Sequence, residues 1–204
     1  MRNSLLLSSS LALLLSAGCA SRAVILAPGP IPVAADEGRV EGPLAWSVAV
    51  KEVIDARPQE TQGERVGTLY SRVQGDPQAA FLDPSPPVYV KEQLSRYLLH
   101  RGLEASTPET AKVYLAVDLS EFALVVNPGR VWDEVLVRIA YTVRFSDRSG
   151  KDLGHVRLNA GKQIDVSLGS ENQAKKAFRE ALAETFRSLA ESDVFLRVLR
   201  PERG

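Results

Sequence analysis

The alternation of hydrophobic and polar positions predicts a domain built on β-strands. The longest signal runs from Val135 to Phe145, where every second residue is apolar, as expected for a strand with one buried face. Similar strands are predicted to begin at Trp46, at Val113 and, after a hairpin turn at 147–151, at Leu153. Two further segments could form short strands: 23–26 and 65–70.

Apolar stripes at helical spacing predict two amphipathic helices. The first follows Pro86-Pro87 and ends at Gly102, after basic residues that suit a helix C-terminus. The second begins at Ser170 or Glu171 and runs to about Leu189. The stretch 58–87, which lies before the first helix, contains five prolines and three glycines, which predicts a long loop.

This order of elements predicts an α+β fold. We expect a mainly antiparallel sheet of about four strands, with two amphipathic helices packed on one face. The first helix could act as a right-handed crossover, which would make one pair of strands parallel. The predicted domain covers residues 44–199.

The N-terminus has the composition of a secretory signal. Arg2 precedes a leucine-rich stretch that ends in small residues at Gly18, and the single cysteine of the chain, Cys19, follows directly. This arrangement resembles the lipobox of bacterial lipoproteins, in which the peptide is cut before a cysteine that carries acyl chains. We therefore predict a signal peptide over 1–18, cleavage after Gly18 and lipidation of Cys19. A transmembrane anchor would need about 20 apolar residues, and an ordinary secreted protein would leave the thiol unexplained.

Residues 19–43 are predicted to tether the domain to a membrane. The stretch 20–43 contains four prolines and three glycines without a sustained apolar period. The whole chain balances 25 basic against 25 acidic residues, so no electrostatic footprint for nucleic acid is expected and attachment would depend on the lipid alone. Ala20 after the cysteine favours the outer membrane, with the domain facing the periplasm.

The sequence contains little that indicates catalysis. Its two histidines, His100 and His155, lie in no metal or catalytic motif. Asp133 and Glu134 are adjacent in a strand and point to opposite faces, so they cannot form a carboxylate pair. We predict no cofactor, no metal and no enzymatic activity.

Asp55 and Arg57 are the charged residues of greatest interest in the domain. They end the first long strand, two positions apart, so their side chains share a face. They could form a structural ion pair that fixes the junction between strand and loop, or they could contact a partner.

Several short motifs resemble the YajG-like family of bacterial lipoproteins. The stretch 48–57 alternates apolar residues and closes on Asp-x-Arg, Val66-Gly67-Thr68 follows in the loop, and a helix ends at Gly102. The strand at 113–117 and an amphipathic C-terminal helix complete a similarity over about 44–196. The resemblance implies an envelope lipoprotein without assigned catalytic residues.

Three functions remain open at this point. The first is a non-enzymatic envelope lipoprotein that binds a protein or an envelope component. The second is an auxiliary subunit of a lipid or lipopolysaccharide transport system. The third is a cell-wall hydrolase, which no constellation of residues in the sequence supports.

Overall fold

The computed structural model describes residues 23–33, 47–70, 77–105, 107–127, 133–166 and 170–200. Two short 3₁₀ turns, Gln59–Thr61 and Pro108–Thr110, accompany the regular elements. In chain order, those elements are β1 (Val24–Leu26), β2 (Val48–Asp55), β3 (Arg65–Tyr70), β4 (Pro77–Leu82), α1 (Pro86–His100), β5 (Val113–Asn127), β6 (Asp133–Asp147), β7 (Asp152–Val166), α2 (Ser170–Glu191) and α3 (Asp193–Leu199).

The described strands form one mixed sheet. Its order is β1-β4-β3-β5-β6-β7, and β2 pairs with β5 outside this path. The pairs β3–β4, β5–β6 and β6–β7 are antiparallel. The pairs β1–β4, β2–β5 and β3–β5 are parallel. The parallel β2–β5 pair was among the expected alternatives.

The predicted α+β class is confirmed, but the predicted sheet of about four mainly antiparallel strands is wrong. The sheet has seven strands and is mixed. Strand β4 was missed because it lies in the proline-rich stretch that predicted a loop, and it begins at Pro77. The optional strands at 23–26 and 65–70 are present as β1 and β3.

There are also three helices in the described residues rather than two. One residue, Ser192, separates the short helix α3 from α2. It caps the N-terminus of α3, because its hydroxyl accepts a hydrogen bond from the Phe195 amide. The Phe195 ring is buried against Phe145, with ring centroids 5.6 Å apart. A seven-residue helix is too short to show a clear apolar period, so only this packing reveals it.

The core lies between the sheet and the helices. Alternate residues of β5 and β6 are buried, among them Leu115, Val117, Val137 and Val143. The apolar stripe of α2 packs against them, and its Phe178 stacks on Phe122 of β5 at 4.9 Å. Aromatic pairs of this kind stabilise beyond the area that they bury.

The segment 23–33 is part of the folded domain. Leu26 and Ile31 are buried in the core. The Ile31 amide donates a hydrogen bond to the Gln93 side chain, and the Tyr89 hydroxyl donates one to the Gly29 carbonyl. The described portion of the predicted tether therefore packs on α1 and on the sheet.

A buried hydrogen bond between Tyr141 and Thr185 links β6 to α2. The Tyr141 hydroxyl donates to the Thr185 hydroxyl at 2.8 Å, and Thr185 donates in turn to the Leu182 carbonyl. We expect Thr185→Val to cost about 1–3 kcal/mol of unfolding free energy, because the Tyr141 hydroxyl would be buried without a partner. The double variant with Tyr141→Phe should recover much of that loss. Urea unfolding of both variants measures this, and an additive loss in the double variant would contradict the coupling.

Candidate functional site

Asp55 and Arg57 lie where the strand that pairs with β5 changes from β2 to β3. Strand β2 pairs with β5 from Val113 to Leu119, whereas β3 meets β5 further along, at Leu124. Both strands lie on the same side of β5, so a gap separates the end of β2 from the beginning of β3. The Arg57 side chain fills this gap.

The Arg57 guanidinium uses every one of its N–H groups within the fold. Nε donates to Asp55 Oδ1 and Nη2 to Asp55 Oδ2, each at 2.7 Å. The remaining donors reach three backbone carbonyls: those of Gly63 at 2.7 Å, Arg65 at 3.0 Å and Phe122 at 3.4 Å. A guanidinium has five N–H donors, and five hydrogen bonds are formed. None is left for a ligand.

The same contacts stabilise the ionised form of Asp55. Burial alone would raise the pKa of its carboxyl, but this effect is outweighed by hydrogen bonds from Arg57 and from the Gly63 amide, and by the Arg57 charge. The pKa of Asp55 is therefore held below its ordinary value. The side chain of Arg57 is 1% exposed and that of Asp55 17%, so the pair is a buried connection between β2, β3 and β5. This arrangement supports the structural interpretation over the partner-binding one.

The lowered pKa of Asp55 predicts how stability depends on pH. The carboxylate stabilises the fold fully above the pKa of Asp55 in the unfolded chain, and this contribution is lost as pH falls through the lower pKa of the folded state. Asp55→Asn should therefore be less stable than the native chain at pH 7, with a difference that shrinks at acidic pH. Urea unfolding of both chains between pH 7 and pH 3 tests this, and a difference independent of pH would contradict it.

Cys19 and Gly18 lie outside the described residues, and their predicted lipidation and cleavage remain predictions. Of the histidines, His100 ends α1 and His155 lies in β7, and both are exposed. Across the described ranges, no three histidine, cysteine or acidic side chains are grouped so that they could hold a metal ion. No helix in those ranges is long and apolar enough to cross a membrane.

The second candidate is the face of β5, β6 and β7 that points away from the helices, which we call the open face. Register partners point to the same side of a sheet, so the pairs Ala116–Arg144 and Arg144–His155 place these side chains in one row. The neighbouring row holds Asp118 and Arg157. These four polar side chains are all at least partly exposed.

One ion pair orders the centre of the open face. Arg144 Nε lies 2.8 Å from Asp118 Oδ2, and Arg144 Nη2 donates to Asp118 Oδ1 at 2.8 Å. This bidentate pair has the same chemistry as Asp55 and Arg57, but its arginine side chain is 52% exposed. It can therefore be reached by a partner, whereas the Arg57 pair cannot.

Two shallow clefts lie at the end of the open face, next to the β6–β7 hairpin. One has a volume of about 330 Å³ and includes Lys51, Tyr114 and Arg144 in its lining. The other, of about 500 Å³, is lined by residues 109–112 and 147–149. Side chains of both signs line these clefts, which suits a polar partner of mixed charge.

Sequence reasoning did not find the open face as a site. The alternation in β6 already assigned Arg138 and Arg144 to the polar side of their strand. It could not show which residues of β5 and β7 lie beside them, because that depends on register between strands.

Comparison with known proteins shows a shared fold. No family model matches the chain, and no curated protein sequence does. A protein of Xanthomonas campestris from the family DUF330 superposes with a TM-score of 0.60 at 14% identity, over 86% of this chain and 97% of its own. An uncharacterized protein gives a TM-score of 0.50 at 10% identity, over 83% and 97% respectively. A minor lipoprotein from Acinetobacter baumannii is 19% identical over 56% of this chain and 89% of its own, with a TM-score of 0.42.

The YajG-like assignment stays a prediction. The first two superpositions show that this chain has the α+β fold of the DUF330 protein and of a second solved structure.

Proposed function

We propose that this chain is a lipid-anchored protein of the bacterial envelope whose folded domain binds a protein or an envelope component. The observation that carries the proposal is the N-terminal arrangement of Arg2, the leucine-rich stretch and Cys19. The YajG-like resemblance supports the same class. In this proposal the acyl chains hold the protein in the outer membrane and the domain faces the periplasm.

The open face is the proposed binding surface. The Arg57 cluster is closed within the fold, while Arg144, Asp118 and His155 present charged and polar groups on a rigid three-stranded surface. Exposed polar residues on long strands are well suited to holding a partner in a defined orientation. The proposal therefore assigns binding, rather than catalysis, to this domain.

Cys19→Ala tests the anchor. The native chain should incorporate labelled palmitate and sediment with the membranes, because its thiol would carry acyl chains. The variant should take up no palmitate and should either appear in the soluble periplasmic fraction or keep its signal peptide. Separation of inner and outer membranes by density then locates the native chain.

The domain itself provides the control for this experiment. The described core is built from residues 26–199, so the variant should unfold at the same urea concentration as the native chain. Membrane attachment of a processed Cys19→Ala protein without palmitate would overturn the lipid anchor.

Photocrosslinking in the native envelope tests the binding surface. A photoreactive residue at His155, on the open face, should capture a specific partner. The same residue at Lys176, whose side chain is 62% exposed on α2, is the matched control. Capture of subunits of a lipid or lipopolysaccharide transporter at position 155 would identify the auxiliary-subunit function. Equal capture from both positions would contradict a role for the open face.

A further inference from the structure

The folded domain begins very close to the proposed lipid. Val24 opens β1, which pairs with β4, and Leu26 is fully buried in the core. Five Cα–Cα steps separate Cys19 from Val24, and an extended chain covers at most about 3.6 Å per residue. The acylated residue can therefore lie no further than roughly 18 Å from β1. The anchoring segment is short, in contrast to the 25-residue tether that residues 19–43 would provide.

The surface beside this attachment point combines apolar side chains with a basic one. Ile25 of β1 is 61% exposed, although it belongs to a strand whose other residues pack inward. Its register partner in β4 is Phe81, and the partner of Phe81 in β3 is Arg65. Register partners share a face, so Ile25, Phe81 and Arg65 form one row across three strands. We call these three residues the anchor row.

The anchor row has the chemistry of a surface that contacts lipid. Phe81 is partly exposed and Arg65 is exposed. Apolar side chains can enter the boundary between headgroups and acyl chains, while an adjacent guanidinium can contact anionic phosphates. Contacts from so few residues would be too weak to bind a free protein to a membrane. A short tether raises their effective concentration, however, so that weak contacts can hold an orientation.

We propose that the anchor row lies against the membrane surface and fixes how the domain is presented to the periplasm. This inference rests on the lipid anchor proposed above. The membrane is the proposed contact of the anchor row because the short chain between Cys19 and β1 keeps Ile25 within reach of the bilayer.

A labelled cysteine at position 25 tests the proposal. Ile25→Cys, made in the lipidated full-length chain, would carry an environment-sensitive fluorophore, because the native thiol is already acylated. Leu99→Cys is the matched control, because Leu99 is 62% exposed and lies near the C-terminus of α1. It is about 20 Å along the helix from Pro86, where α1 begins after β4. Both proteins would be reconstituted in vesicles of phosphatidylethanolamine and phosphatidylglycerol.

The expected result is a blue-shifted emission at position 25 and at least a threefold lower rate of quenching by an aqueous quencher than at position 99. Equal quenching at both positions in vesicle-bound protein would overturn the membrane contact and leave the lipid anchor intact. Energy transfer between labelled copies at position 25 would indicate a second copy of the chain as the occupant and would also overturn it. Failure of both proteins to remain with the vesicles would overturn the lipid anchor itself, and the contact with it.

A second variant tests the short tether directly. Insertion of ten Gly/Ser residues after Ser21 preserves Cys19 and the domain but lengthens the connection. Since effective concentration falls as a linker grows, quenching at position 25 should rise towards that at position 99. Unchanged protection would contradict the role of the short tether.

Discussion

Arg57→Ala is expected to lower the free energy of unfolding by about 3–5 kcal/mol, the range found when one partner of a buried ion pair is removed. Asp55 would keep a partly buried charge without its counterion. The carbonyls of Gly63, Arg65 and Phe122 would lose their donors in the gap between β2 and β3. Equilibrium urea unfolding followed by circular dichroism measures this loss.

The chain offers a matched control in Arg144→Ala. Arg144 and Asp118 form the same bidentate arginine–aspartate pair, but on the exposed open face. Exposed pairs contribute about 1 kcal/mol or less, because water solvates both ions when the pair is broken. A similar loss for both variants would contradict the structural role of Arg57. Arg57→Lys should fall between the native chain and Arg57→Ala, since an ammonium cannot reproduce the planar fork of donors.

Gly67→Ala is expected to separate β3 from β5 and to cost at least about 3 kcal/mol, which is large for a single added methyl group. Gly67 has a φ of +152°, and a Cβ atom there would lie 2.1 Å from the Leu124 carbonyl oxygen. That oxygen belongs to the backbone of β5 and cannot move aside without breaking the sheet. Among the described residues, the single register pair between β3 and β5 is Gly67–Leu124, so the clash falls on that connection. Urea unfolding and the yield of folded protein are the measurements.

Alanine substitutions at two other glycines distinguish the effect of the clash at Gly67 from the effect of backbone strain. At Gly150 φ is +85° but no heavy atom lies within 4 Å of an added Cβ, so Gly150→Ala measures strain alone, about 1–2 kcal/mol. Gly161 lies in β7, where an added Cβ would meet its nearest atom at 3.7 Å, and Gly161→Ala should be neutral or slightly stabilising. If Gly67→Ala were no worse than Gly150→Ala, the close approach of the two strands would not matter to stability.

Most regular elements could be predicted because their signals are local. Strands β5 and β6 and helix α2 are long enough for their apolar periods to emerge above chance, and the hairpin between β6 and β7 has turn residues of its own. Strand β4 and helix α3 could not be predicted in this way. The first begins at a proline in a loop-like stretch and the second has only seven residues, so both depend on packing against distant parts of the chain.

The contacts of the charged residues could likewise be predicted only where they are local in sequence. Spacing alone indicated that Asp55 and Arg57 share a face and can pair. It could not indicate that the Arg57 guanidinium also reaches Phe122, 65 positions away, because that contact exists only where β5 exchanges β2 for β3 as its neighbour. The open face is likewise a product of register between strands.

By itself, the sequence predicted where the chain is attached, through a cysteine that follows an apolar signal, and it determined the presence of an α+β domain after that signal. Both conclusions depend on neighbouring residues and on periodicity. Only the tertiary structure decided that β1 joins the sheet within six residues of Cys19, that Arg57 is enclosed by the fold, and which charged side chains stay open to a partner. Strand pairing brings together residues that are far apart in the chain, and neither composition nor periodicity records that pairing.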